Sequence, residues 1–133
     1  MRIMLDTNVL FSTILFLGKS FEKLFAHITE NHTLVLSTFV ITEMKYVTEK
    51  KFPEKSQFID RFLSELSYEL VYTPDNIDYS LFQIRDLNDY PVLYSAIISN
   101  VDILITGDLD FKDVEIEHPE IMTPREYIEH YCK

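Results

Sequence analysis

The chain has 133 residues, the length of one ordinary domain, and its 47% hydrophobic and 14% aromatic content is enough for a core and too much for a disordered chain. Twenty-two acids against twelve bases leave a net charge of −10, which excludes a protein that grips nucleic acid or anionic lipid through a basic surface alone. With two separated glycines, Gly18 and Gly107, and one cysteine, Cys132, a Gly-rich phosphate loop, an internal disulfide and a cysteine-based zinc site are excluded as well.

Only three apolar residues separate Met1-Arg2 from Asp6, far short of a signal peptide, and the apolar stretch from Val9 to Leu17 is too short to span a bilayer. A cytoplasmic protein without a membrane anchor is expected. Ile3-Met4-Leu5 predicts a buried strand that delivers Asp6-Thr7-Asn8 at its C-terminal end, and a helix follows from Val9. The apolar surface of that helix, around Phe11, Leu15 and Phe16, is first explained by a core position, with a homodimer or a bound partner helix as the alternative. Ser20 caps a second helix, whose Phe21, Leu24, Phe25 and Ile28 share one face.

Leu34-Val35-Leu36 predicts a second strand. Ser37 or Thr38 then caps a helix with Val40, Met44 and Val47 on one face and Lys45, Glu49 and Lys50 on the other. Phe58, Ile59, Phe62, Leu63 and Leu66 mark a further amphipathic helix, and Leu70-Val71-Tyr72 a third strand. Pro74-Asp75 breaks the chain before Ile77, Leu81 and Ile84, which continue the alternation. Arg85 to Tyr90 is a polar loop, and Pro91 opens a helix containing Val92, Leu93, Ala96 and Ile97. Ile103-Leu104-Ile105-Thr106 is the clearest buried strand and runs into Gly107-Asp108-Leu109-Asp110. Ile121-Met122 forms a last short strand, and Thr123-Pro124-Arg125-Glu126 opens the terminal helix as a capping box. Strands alternating with helices over residues 1–133 define one α/β domain around a mainly parallel sheet, with its ligand crevice beyond the C-terminal strand ends.

Asp6, Asp108 and Asp110 fall at those strand ends. Glu43 lies along the apolar stripe of its helix, and Asp89 precedes a helix start. Singly, each has an ordinary explanation: Asp6 and Asp89 as helix caps, Asp86 and Asn88 as turn formers, Glu43 as a rim residue, Asp108 and Asp110 as a polar turn. Together they bring four or five carboxylates to one end of one sheet, where mutual repulsion opposes folding. A hard divalent cation resolves the conflict, and an oxygen-only set without His or Cys suits Mg²⁺ or Mn²⁺. Ions in such a cradle bind phosphate and activate water, which points to phosphodiester hydrolysis.

His27, His32, His118 and His130 have no catalytic spacing and read as surface or packing residues. Lys45, Lys50, Lys51 and Lys55, interleaved with Glu49 and Glu54, read as a solvated helix end. Most aromatics sit at core spacing, and Tyr90, beside Asp89, is the one candidate for stacking on a base. A phosphatase working through an aspartyl-phosphate at Asp6 needs an acid two positions later, where this chain has Asn8.

The segments Leu5-Asp6-Thr7-Asn8-Val9-Leu10, Thr42-Glu43, Arg85-Asp86-Leu87-Asn88-Asp89 and Leu104-Ile105-Thr106-Gly107-Asp108-Leu109-Asp110-Phe111, in this order, resemble the acidic motifs of PIN-domain nucleases. The likeness is strongest to the small prokaryotic PIN proteins that act as toxins of toxin–antitoxin pairs. It implies a three-layer α/β/α sandwich, bound Mg²⁺ or Mn²⁺, cleavage of RNA and an antitoxin partner. It also implies Asp6, Glu43, Asp89 and Asp108 as an acidic quartet, Asp110 as an additional metal-binding acid, and Asn8 and Thr106 as polar helpers. The chain departs from the family pattern at Leu87 and at Tyr90-Pro91. The alternative within the same fold is a module that binds RNA or protein without cutting. With five acids assigned to a metal, seventeen acids face twelve bases, so RNA affinity is expected to rise with divalent ion.

Overall fold

The computed structural model describes residues 1–15 and 19–132. Five strands, β1 (Arg2–Leu5), β2 (Thr33–Ser37), β3 (Glu69–Val71), β4 (Ile103–Ile105) and β5 (Glu120–Met122), form one sheet in the order β3-β2-β1-β4-β5. Every neighbouring pair is parallel. Helices α1 (Thr7–Leu15) and α2 (Lys19–Asn31) connect β1 to β2, and α3 (Thr38–Lys51) and α4 (Ser56–Glu65) connect β2 to β3. Helix α5 (Tyr90–Ile98) precedes β4, and α6 (Pro124–Tyr131) follows β5.

The sequence of the central strands dictates the layering. Ile3, Met4 and Leu5, like Leu34, Val35 and Leu36 and like Ile103, Leu104 and Ile105, are buried at consecutive positions. Successive strand side chains point to opposite faces, so unbroken burial requires helices on both faces. The result is the three-layer α/β/α sandwich expected from the sequence. Ile3 pairs with Leu34 on one side and Ile103 on the other, so the apolar runs lie level across the sheet.

From β1 the chain steps outward to β2 and β3, then returns across β1 to β4. The reversal falls between β1 and β4, where the connections diverge and a crevice opens at the carboxyl ends of the strands. The backbone N–H of Asp6 donates to the Ile105 carbonyl at 3.1 Å, so the two strand ends that frame this crevice finish level.

Local signals explain the helix starts. Ser37 caps α3, its Oγ accepting from the Val40 N–H at 3.2 Å, while the Thr38 hydroxyl accepts from the Thr73 N–H instead. Thr123 and Glu126 form the predicted capping box at α6. Pro91 is the second residue of α5, which begins at Tyr90. Helix α1 packs into the core through Val9, Leu10, Phe11 and Ile14, which are buried within the chain, while Leu15 is half-buried. Phe16, Gly18 and the side chain of Ser20 lie outside the described residues. Phe25 packs against Phe62 at 5.9 Å between ring centres, His27 bonds the Tyr127 hydroxyl at 2.7 Å, and Lys45 pairs with Asp60 at 3.6 Å, in keeping with packing and solvated-face roles for these groups.

Residues 72–86 contain no helix, so the expected continuation of the alternation through Ile77, Leu81 and Ile84 is corrected. The segment is held instead by side-chain bonds that compete with helix. Asp78 accepts from the Ser80 N–H at 2.9 Å, and Tyr90 Oη donates to the Asp78 carbonyl at 2.6 Å and accepts from the Leu81 N–H at 3.3 Å. Phe82 stacks on the Tyr90 ring with centres 4.0 Å apart. Tyr90 is thereby only 1% exposed, which overturns its candidacy for stacking on a base.

Candidate metal centre

Asp6 leaves β1 directly into α1, and its carboxylate divides its work. Oδ1 caps the helix by accepting from the Val9 N–H at 3.0 Å, and Oδ2 accepts from the Thr106 hydroxyl at the end of β4. Thr106 also accepts from the Asp108 N–H at 3.1 Å, so one hydroxyl ties both strand ends together. Asp6 is 5% exposed, and burial raises its pKa against the opposing hydrogen bonds from Thr106 and Val9, with the Asp108 charge adding to the rise.

Two turns of the same design bring further acids to the crevice. Asp108 Oδ1 accepts from the Asp110 N–H at 2.9 Å, opening the 3-10 turn Leu109–Phe111. Asp86 Oδ1 accepts from the Asn88 N–H at 2.9 Å, opening the 3-10 turn Leu87–Asp89. Each spends one carboxylate oxygen on its own backbone and leaves the other available.

Asp89 stands at the N-cap position of α5, yet its side chain makes no cap bond, because its backbone is already helical (φ −87°, ψ −12°). Its Oδ2 is buried without a hydrogen-bond partner. Burial, the charge and carboxyl contact of Asp108, and the charges of Asp86 and Asp110 push its pKa up to about 7. The helix-cap explanation therefore accounts for Asp6 in part and fails for Asp89.

Oxygen atoms of Asp86, Asp89 and Asp110 all lie within 4.8 Å of one another, close enough to share an ion. Asp108 links this group to Asp6, since its charge acts on both Asp6 and Asp89. An orphaned carboxylate oxygen among several acids, with no His or Cys in the group, fits a hard divalent cation. Arg85 approaches the edge of the group, its Nη1 3.7 Å from Asp110 Oδ1.

The structure thus brings Asp6, Asp89, Asp108, Asp110 and Thr106 together. Glu43 is half-buried on α3, a helix that packs against α1 and α5, and it stands outside the three-oxygen group. The Asn8 side chain is exposed, and its backbone N–H contributes to holding the Asp6 charge. The sequence marks Asp86 as a turn former, a role that one of its oxygens serves, and the structure adds it to the acidic group. Thr7, which follows Asp6 at the end of β1, has a buried hydroxyl without a partner.

The chain belongs to the PIN domain family, whose pattern it matches over residues 2–110. No curated protein matches it in sequence. Among solved structures it is similar to a chain in the crystal structure of VapBC2 from Rickettsia felis bound to a DNA fragment from their promoter, with a TM-score of 0.69 and 23% identity over 92% of this chain and 97% of that one. That likeness is one of fold.

Proposed function

We propose that this protein is a divalent-metal-dependent endoribonuclease that hydrolyses RNA phosphodiester bonds, and that it is the toxin of a toxin–antitoxin pair. The observation that carries the metal is the buried, unpartnered Oδ2 of Asp89, on a carboxylate that has an oxygen within 4.8 Å of oxygens of both Asp86 and Asp110. Asp89, Asp108, Asp110 and Asp86 would hold Mg²⁺ or Mn²⁺, with Asp6 completing the set on the β1 side and Glu43 added by the family pattern. When bound, the ion neutralises the scissile phosphate and lowers the pKa of an attacking water.

The chain's own groups prepare that chemistry. Thr106 holds the Asp6 carboxylate in one orientation, and the Val9 N–H fixes its second oxygen. The two Asx-type turns fix the Asp86 and Asp108 side chains by anchoring one oxygen of each to nearby backbone, and the second turn positions Asp110 through its backbone N–H. Burial of Asp6 and of the Oδ2 of Asp89 keeps bulk water from screening these charges.

The toxin assignment rests on the family pattern and on the neighbouring VapBC2 fold, and it brings with it an antitoxin protein as partner, a homodimeric state and a cytoplasmic setting. Among the described residues no helix is long and apolar enough to cross a membrane.

Cleavage of a labelled single-stranded RNA in Mn²⁺ tests the reading. Asp108→Asn and Asp89→Asn should each lower the rate by roughly 100-fold or more, excess chelator should abolish it, and Glu43→Gln should cost about tenfold, as expected for a group acting from outside the three-oxygen set. Undiminished cleavage by Asp108→Asn would sink the mechanism, and RNA binding without cleavage at any Mg²⁺ or Mn²⁺ concentration would favour the binding module.

A further inference from the structure

The turn that carries Asp108 and Asp110 stands as a ridge between two grooves. One, of about 670 Å³, is lined by Thr106, Asp108 and Lys112 among others. The other, of about 350 Å³, is lined by Arg85, Asp110 and Asp113. Val114 lines both, so the grooves adjoin at the turn, with Asp108 on one and Asp110 on the other. Each contains one cation. The Arg85 guanidinium is exposed and is held across its groove by Asp110 at 3.7 Å and Asp113 at 3.5 Å. Lys112 is exposed in the larger groove, which Glu126 also lines, and its charge adds to the hydrogen bonds from Thr123 in holding that carboxylate low.

We infer that single-stranded RNA crosses this ridge, with the scissile phosphate over the acidic group and the flanking phosphates held by Arg85 in one groove and Lys112 in the other. The inference rests on the nuclease reading and specifies its substrate path. An RNA strand entering a crevice with this many carboxylates meets repulsion on both sides of whatever the ion neutralises, so the flanking phosphates need cations of their own. Arg85 supplies a planar fork suited to a phosphate, and Lys112 a point charge. Arg85 is held by its two ion pairs until a phosphate replaces an acid as partner, whereas the exposed Lys112 has no such pair among the described residues and is free to meet a phosphate directly. The Lys45–Lys55 cluster, on α3 and the turn after it, is not needed for this path.

The test is equilibrium binding of a fluorescent, nuclease-resistant 2′-O-methyl single-stranded oligoribonucleotide in Mn²⁺ over a salt series. Arg85→Gln, Lys112→Gln, the double variant and Lys51→Gln are compared with the wild type, and Mn²⁺ binding is measured separately in each. Arg85→Gln and Lys112→Gln should each weaken RNA binding about threefold to tenfold and reduce the salt slope by about 0.7, with the double variant additive. Mn²⁺ affinity should be kept in Lys112→Gln and kept or tightened in Arg85→Gln, which removes a competing cation. Lys51→Gln should leave the slope unchanged. Unchanged slopes in the two groove variants, an equal effect from Lys51→Gln, or no RNA binding by the wild type would each overturn the path. Groove-dependent binding by a wild type that does not cut RNA would uphold the path and overturn the nuclease, so the two failures are distinct.

Discussion

Asp6 and Asp89 occupy equivalent local positions, each immediately before a helix, yet they differ in what their oxygens do. Asp6 has both oxygens engaged, one by the Val9 N–H and one by Thr106, whereas Asp89 has a buried oxygen with nothing to accept from. The difference is one of backbone: Asp89 is already helical, and its carboxylate makes no bond to the N–H groups that a cap would serve. Thr106 is the hinge of the Asp6 arrangement. Thr106→Val should leave a buried carboxylate oxygen unsatisfied, costing about 1–3 kcal/mol of stability and roughly tenfold in Mn²⁺ affinity, whereas Thr106→Ser should restore most of both. Thermal unfolding in chelator and Mn²⁺ titration measure the two quantities. The acids themselves were legible in the sequence because their types and order carry meaning. Asp86 was not, since its visible role, a turn bond to Asn88, is fully served by one oxygen and gives no sign of the second.

At the scale of elements, unbroken apolar runs gave away the strands, and polar residues immediately after them marked the crevice. Segment 72–86 was misjudged for the opposite reason: its apolar residues pack against Tyr90 from a loop, and no spacing rule anticipates a loop organised around a ring from a later helix. Tyr90→Phe keeps the stacking and removes two hydrogen bonds, to the Asp78 carbonyl and from the Leu81 N–H. It should destabilise the protein by about 1–2 kcal/mol and free the segment locally. Hydrogen exchange at Leu81 and proteolysis across 78–82 should both quicken. Because Tyr90 follows Asp89 directly, a modest fall in Mn²⁺ affinity should accompany the change, smaller than that of Asp89→Asn.

For the molecule as a whole, the convergence of acids makes stability depend on pH and metal together. The Asp89 carboxyl has an ordinary pKa of 3.8 and is raised to about 7 in the fold, so the folded chain holds a proton that the unfolded chain has lost over the interval between them. The stability this contributes is fully present below the lower value and is lost as pH rises through about 7; the raised Asp6 acts in the same direction. Metal-free protein should therefore melt a few °C lower at pH 7.5 than at pH 5, and Asp89→Asn should flatten the dependence. Mn²⁺ should raise the melting temperature at pH 7.5 and much less at pH 5, where protons compete for the same oxygens. Thermal scans in chelator and in Mn²⁺ at the two pH values check this. The net charge of −10, which by itself argues against a nucleic-acid partner, is in part the charge of this site.

The sequence alone determined the layers, the strands and the residues standing at their carboxyl ends, because short apolar runs of β-branched and aliphatic residues, closed off by polar ones and alternating with amphipathic stretches, fit a sheet covered on both faces. Only the tertiary structure decided which acids share a field. The return of the chain across β1 to β4 sets Asp108 beside Asp6, and the pinned loop before α5 swings Asp86 and Asp89 over to Asp110. Carboxylates interact through distances of a few ångströms, and those distances are set by where the chain crosses back, which no local pattern of residues records.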